Sequence, residues 1–251
     1  MMKSLAILGG LALTLSTSLT AIAAPYELGF EDRPSYLPNN VVVLTFDDGP
    51  DWVNTAKVLD TLKQKNVKSS FFINSENWSS LSQDQPMRDL VKRMVDEGHE
   101  LANHTAHHLH LNGISAAQVE SEIVDVERNV NNIFGNTSHR LTMLRAPHGV
   151  PYQDNDANNP SPAYRLVSPI VARHAVHIGW NIDSNDWVCP VGDSNCVYNN
   201  VMNELKTPGQ GNYGIILMHS VHSQTADALP RLIDAIRARG FQIWTAEDAV
   251  R

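Results

Sequence analysis

The chain reads as an α/β protein in which mostly parallel strands alternate with helices in one catalytic domain. Three observations carry that expectation. Short apolar runs alternate about seven times with helix-like stretches, the rhythm of β/α units. The first run, Val41-Val42-Val43-Leu44-Thr45-Phe46, is β-branched and lacks polar alternation, as in a strand buried on both faces. The length, 251 residues, suffices for one large core. Periodicity alone fits a barrel and a doubly wound sheet equally well.

The elements follow in order. Lys3, an apolar stretch over residues 5–19 and the small-x-small site Ala21-Ile22-Ala23 form the pattern of a cleaved signal peptide over residues 1–23. Thr14, Ser16, Thr17, Ser18 and Thr20 make the run too polar for a membrane-spanning helix. The chain is therefore expected to be secreted or periplasmic, with 24–40 a short N-terminal segment and 41–251 the catalytic domain. After the first strand, Val58, Leu59 and Leu62 mark a helix over 54–65, and 69–73 is the next strand. Pro86 opens a helix that stops at Gly98, in the usual proline-first, glycine-last order. Ser115 with Gln118 predicts a capping box for a long helix through Ile133. Strands are expected over 141–144, 176–182, 214–218 and 241–245, and helices over 163–173, 199–206 and 226–239. The Asn- and Pro-rich stretch 151–162 reads as a surface loop.

Composition narrows the function. The chain is 42% hydrophobic and 18% charged, which excludes a disordered protein. A formal net charge of -8 repels phosphate backbones and anionic lipid, so nucleic-acid binding and membrane adhesion are not expected. Cys189 and Cys196 are the only cysteines, and six turn-forming residues separate them. In an exported chain they are expected to form a disulfide that staples a loop; a metal site would call for a second cysteine pair.

The polar residues at expected strand ends carry the chemistry. Asp47 and Asp48 follow the first strand, Arg145 and Asp183 stand at the ends of later ones, and His219 ends the strand 214–218. Parallel α/β architectures build active sites at that rim. Adjacent carboxylates are unfavourable unless a cation or proton transfer uses them, although Asp-Asp-Gly-Pro is also good turn chemistry. His104 and His108 are four apart, so on one helical turn their rings would share a face. His107 and His110 are read as bystanders. With Asp48, His104 and His108 give two neutral nitrogens and one carboxylate, a set that can hold Zn²⁺ and lower the pKa of its water toward ~7. Asp47 is then placed to take that water's proton. His219 is the candidate general acid, with Asp183 available to tune it, and Arg145 could pair with Asp47 and aim it. Trp187 and Leu217 could wall a pocket for a methyl group.

Five ordered motifs make this pattern specific: Thr45-Phe46-Asp47-Asp48-Gly49, His104-Thr105-x-x-His108, Arg145-Ala146-Pro147-His148, Asp183-x-x-Asp186-Trp187 and Leu217-Met218-His219. Together they resemble the NodB-homology polysaccharide deacetylases, carbohydrate esterase family 4, from about Val41 to Val250. The resemblance implies a distorted (β/α) barrel of about seven parallel strands and a metal-dependent hydrolase that removes acetyl groups. It implies Asp47 as general base, Asp48, His104 and His108 as metal ligands, and Arg145 as the group orienting the base. It further implies His219 as general acid tuned by Asp183, the His148 N–H as an oxyanion donor, and Trp187 with Leu217 as the acetyl pocket. His148 replaces the usual Tyr or Phe; a backbone donor survives that change, while the groove lining does not.

The expected function is N-deacetylation of N-acetylglucosamine-containing glycans, chitin oligosaccharides first, by a monomer carrying one divalent ion. Zn²⁺ is expected, with Co²⁺ or Ni²⁺ as alternatives. Peptidoglycan deacetylation and acetylxylan esterase activity are the rival reactions. A catalytically silent carbohydrate-binding relative is the rival of another class, and the retained acid–base pair argues against it. The loops 151–162 and 189–196 are expected to border the groove.

Overall fold

The computed structural model describes residues 37–135, 139–153, 155–210 and 214–250; the expected signal peptide and most of the 24–40 segment lie outside them. The first half runs β1 (Val41–Asp47), α1 (Asn54–Lys65), β2 (Ser70–Ile73), α2 (Gln85–Asp96), β3 (Glu100–Asn103), α3 (Ala116–Ile133) and β4 (Met143–Leu144). The second runs α4 (Pro162–His174), β5 (Val176–His177), β6 (Ile182–Asp183), α5 (Ser194–Glu204), β7 (Ile215–His219), α6 (Ser223–Ala238), β8 (Gln242–Trp244) and α7 (Ala246–Val250). No helix among the described residues is long and apolar enough to cross a membrane.

Every strand pairing is parallel, in the order β5-β4-β3-β2-β1-β7-β6, with β8 beside the start of β1. The outermost strands, β5 and β6, are consecutive in the chain, and this closes the fold. Ile178 N–H still bonds Leu144 O at 2.8 Å, while Asn181 N–H already bonds Ile215 O at 2.9 Å. Three residues span at most about 11 Å, so the sheet curls until its edges face each other across one seam without strand pairing. The result is the distorted barrel, and the single strand expected over 176–182 is split by the crossing.

The strand period of two sorts β1 between two cores. Val42, Leu44 and Phe46 face outward against Val58, Leu59 and Leu62 of α1 and Leu229, Leu232 and Ile233 of α6. Val41 and Val43 face inward with Phe72, Met143, Ile178 and Ile215, and α7 closes that end through Ala246 and Ala249. The inward face continues upward through Thr45 to Asp47, so the base candidate stands at the top of the barrel interior.

Helix limits follow local chemistry. α1 ends where Asn66 takes the left-handed conformation, and α3 begins at the Ser115–Gln118 capping box expected from the sequence. α5 starts at Ser194 rather than 199, because Asp193 accepts hydrogen bonds from Asn195 and Cys196 N–H and caps the helix. Cys189 and Cys196 form the expected disulfide, with Cα atoms 5.8 Å apart. Strand β3 was not anticipated; its four residues, Glu-Leu-Ala-Asn, carry no β-branched residue.

Candidate active site

Arg145 is fully buried beneath the rim, and the barrel gives its guanidinium four acceptors. Nη1 donates to Asp47 Oδ1 at 2.7 Å and to Thr45 Oγ1 at 2.9 Å. Nε and Nη2 donate to Ile178 O and Gly179 O at 2.9 and 2.8 Å. Those carbonyls belong to the segment crossing the seam, so one side chain ties the closure of the barrel to the aim of Asp47. Phe72 lies under the guanidinium, 4.3 Å from ring centroid to Cζ.

His104 and His108 come from the loop after β3, not from the expected helical turn. Asn103 Oδ1 accepts Thr105 N–H at 2.8 Å, and Asn74 Nδ2 donates to His104 O and Thr105 O. The chain thereby turns through left-handed Thr105 (φ 67°) and His108 (φ 58°). Such residues cost roughly 1–3 kcal/mol each and persist only where their surroundings hold them. Among the described residues six non-glycines have positive φ, and all but Asn66 sit in loops of this site: Asp48, Thr105, His108, His148 and Asn185.

The loop brings three donors together. Asp48 Oδ1 lies 3.3 Å from His104 Nε2 and 3.1 Å from His108 Nε2, and it accepts no hydrogen bond. His104 Nδ1–H donates to Arg145 O at 2.8 Å, which fixes the tautomer and leaves the Nε2 lone pair aimed at the carboxylate. A carboxylate and two ring nitrogens at that range need a proton or a cation between them, and two imidazoles with one carboxylate suit a divalent ion. Burial opposes ionisation of Asp48, while the two rings, in their protonated donor form, would hold its carboxyl well below the usual range. His104 Nε2 is also 3.7 Å from Asp47 Oδ2, so the base candidate borders the same point.

His219 faces these groups from the end of β7. Its partner is Asp186, which corrects the expectation that Asp183 tunes it. His219 Nδ1–H donates to Asp186 Oδ1 at 2.6 Å; Oδ2 accepts His219 N–H at 2.7 Å and Thr225 Oγ1–H at 2.5 Å. Asp183 instead accepts Asn185 N–H at 2.8 Å, and left-handed Asn185 turns the chain so that Asp186 reaches the ring. Burial pulls His219 down, yet Asp186 above all, with Asp48 and Asp47 behind it, pushes it up to about 9. Burial raises the Asp183 carboxyl. Asp186, His219 and His222 also bring ligating atoms within 4.8 Å of one another. The Asp186 oxygens are already filled by three donors, however, and His222 caps α6 at an end that disfavours cations. That cluster supports the acid.

A cleft of about 430 Å³ joins both halves; Asp47, Asp48, His104, His108 and His219 line it, with Asp183. His148, Trp187 and Leu217 contribute wall, as do Trp180 and Gln153, which sequence reasoning did not single out. The profile of the polysaccharide deacetylase family matches residues 35–159. A chitooligosaccharide deacetylase of Sinorhizobium fredii is 34% identical over 215 residues, covering 80% of this chain and 88% of that one. The chain belongs to the polysaccharide deacetylase family. A Listeria monocytogenes peptidoglycan-N-acetylglucosamine deacetylase is 29% identical over 93% of this chain, which spans 44% of that longer protein. Among solved structures, the chitin deacetylase of the fungal pathogen Colletotrichum lindemuthianum aligns with a TM-score of 0.71 at 28% identity, covering 85% of this chain and 88% of that one.

This polysaccharide deacetylase family member differs from a bare motif list in two further respects. His110, read as a bystander, stacks on His148 (3.8 Å, 8° between planes), and His148 meets His108 edge-on at 4.6 Å. Burial first, then the neighbouring rings, lowers His148 to about 4, so it stays a neutral aromatic wall at pH 7. His107 pairs with buried Glu122. Asp186 stood in the fourth motif beside Asp183, and spacing alone could not choose between them. Glu122 had a clearer signal: a carboxylate inside the apolar stripe Val119, Ile123, Val126 of α3.

Proposed function

We propose that the protein hydrolyses N-acetyl groups of N-acetylglucosamine-containing glycans, releasing acetate. One observation carries this: a carboxylate base beside a convergent His–His–Asp set and an Asp-backed histidine acid share one cleft. Asp48, His104 and His108 would hold one divalent ion, Zn²⁺ by the chemistry of the donors. When bound, that ion supplies Lewis-acid polarisation of the acetyl carbonyl and acidifies water.

The chain's own groups do the rest. Asp47, aimed by Arg145, takes the proton of the attacking water. The His148 N–H enters no hydrogen bond among those of the described residues, which leaves it free to donate to the tetrahedral oxyanion. His219 gives its Nε2 proton to the departing amine, while Asp186 stabilises the imidazolium before transfer. Trp187 and Leu217 form the wall against which the acetyl methyl packs, and the products are acetate and a free amino sugar. The order of the Arg145, Asp47, His219 and Asp186 contacts supports these roles.

Chitin oligosaccharides are the preferred substrate class, since the Sinorhizobium fredii relative, 34% identical and covered over 88% of its length, carries that activity in its name. The signal-peptide pattern over residues 1–23 and the Cys189–Cys196 disulfide support an exported enzyme. Acetate release should be measured on chitin oligomers, peptidoglycan and acetylxylan, with EDTA and with Zn²⁺ or Co²⁺ restored. Metal-dependent release from the oligomers is expected. Release confined to peptidoglycan or acetylxylan would reassign the substrate, and release unaffected by chelation would overturn the mechanism.

A further inference from the structure

Glu122 is a buried carboxylate that the reaction above does not use. It sits on the inward stripe of α3, six residues after the N-terminus of a helix whose register the Ser115–Gln118 capping box fixes. Its Oε2 accepts His107 N–H at 2.8 Å, and its Oε1 meets His107 Nδ1 at 2.7 Å. Its backbone carbonyl accepts Ala106 N–H at 3.0 Å, and the next carbonyl, Ile123 O, accepts Asn103 Nδ2 at 2.9 Å. With Asn103 holding Thr105 N–H, the three residues between His104 and His108 all have their N–H groups fixed, two of them by Glu122.

We infer that Glu122 is a positioning residue for the ligand loop: it sets the spacing of His104 and His108 and so the affinity for a divalent ion. The inference rests on reading Asp48, His104 and His108 as ligands. Thr105, a β-branched residue, and His108 both hold left-handed conformations that are uncommon outside glycine, Thr105 most of all. The His107 ring is half exposed and could turn to water, so the buried carboxylate is what keeps this segment shaped. Without it the loop relaxes, and the ion must order its own ligands on binding. Glutamine preserves the clamp. Its carbonyl accepts His107 N–H while its amide donates to Nδ1 of the other ring tautomer.

The test titrates Zn²⁺ into the full chain stripped with chelator, against a chromophoric competitor, and follows melting with and without Zn²⁺. Glu122→Ala is expected to weaken Zn²⁺ binding about tenfold, with Glu122→Gln close to wild type. The Zn²⁺-induced rise in Tm shrinks in the alanine variant. His107→Ala keeps the helix and the backbone bonds, and it shifts affinity the same way by less, which preserves the test if Glu122→Ala does not fold. Wild-type Zn²⁺ affinity in Glu122→Ala or, should that variant not fold, in His107→Ala would overturn the inference. So would stripped and loaded Tm falling in parallel. A wild-type chain that binds no Zn²⁺ would instead remove the ligand reading itself.

Discussion

The odd-numbered residues of β1 share one face of one strand, yet its two halves meet opposite surroundings. Val41 and Val43 lie among Phe72, Met143 and Ile215, where apolar burial drives folding. Thr45 and Asp47, one turn of the pleat higher, meet the Arg145 guanidinium and then the cleft. Both halves are fully enclosed, so the difference lies in chemistry rather than burial. The lower half is self-sufficient, whereas the upper half is tolerable only because each polar group has a partner. Among the described non-glycine residues, the same division separates the left-handed helix cap, Asn66, from the five left-handed residues of the site. Strain and buried charge collect at the candidate site.

Substitutions along this axis should divide accordingly. The largest effect belongs to Asp47→Asn, which keeps the shape and a hydrogen bond to Arg145 but removes the proposed base; turnover per folded molecule should fall by about 10²–10⁴, and melting should fall too because buried Arg145 loses its counter-ion. Near-normal acetate release would break the contrast. Arg145→Ala leaves Asp47 buried beside an empty space and frees two seam carbonyls. A loss of about 3–5 kcal/mol in denaturant unfolding is expected, with activity falling as well. Ile215→Ala, in the lower half, should cost about 2–5 kcal/mol while turnover per folded molecule stays at the wild-type level. A change in turnover there would show that the halves are coupled.

The smallest effect is a shift in pH profile. As the proposed acid His219 would act in its protonated form, so activity should be lost as pH rises through its pKa, about 9 in the wild type. Asp186→Asn removes the carboxylate that lifts it and leaves burial to pull it down. The alkaline limb should then move to lower pH, read from initial rates across pH 6–10. An unmoved limb would remove His219 from the acid's role or Asp186 from its support.

How much of this was legible in the sequence depends on the range of the signal. The β-branched run of β1 and the capping box of α3 are local, and their limits agree with the structure to within a residue. The strand-end residues were also legible, because parallel strands send their C-terminal ends to one rim. Barrel closure was not, since no periodicity reveals that residues 178–181 leave one sheet edge for the other. The His104–His108 loop passed for a helical turn because spacing of four is shared by both; Asn74, which holds the carbonyls of His104 and Thr105, lies about thirty residues away in sequence. Asp183 and Asp186 could be told apart only once the turn at Asn185 was known.

The central claim is that Asp48, His104 and His108 hold one ion beside Asp47. Metal content and Zn²⁺ binding of the purified chain, measured beside His104→Ala and His108→Ala, test it most directly. One equivalent of divalent ion in the wild type, lost in both variants, is the expected result. An unchanged equivalent in either variant, or none in the wild type, would contradict it.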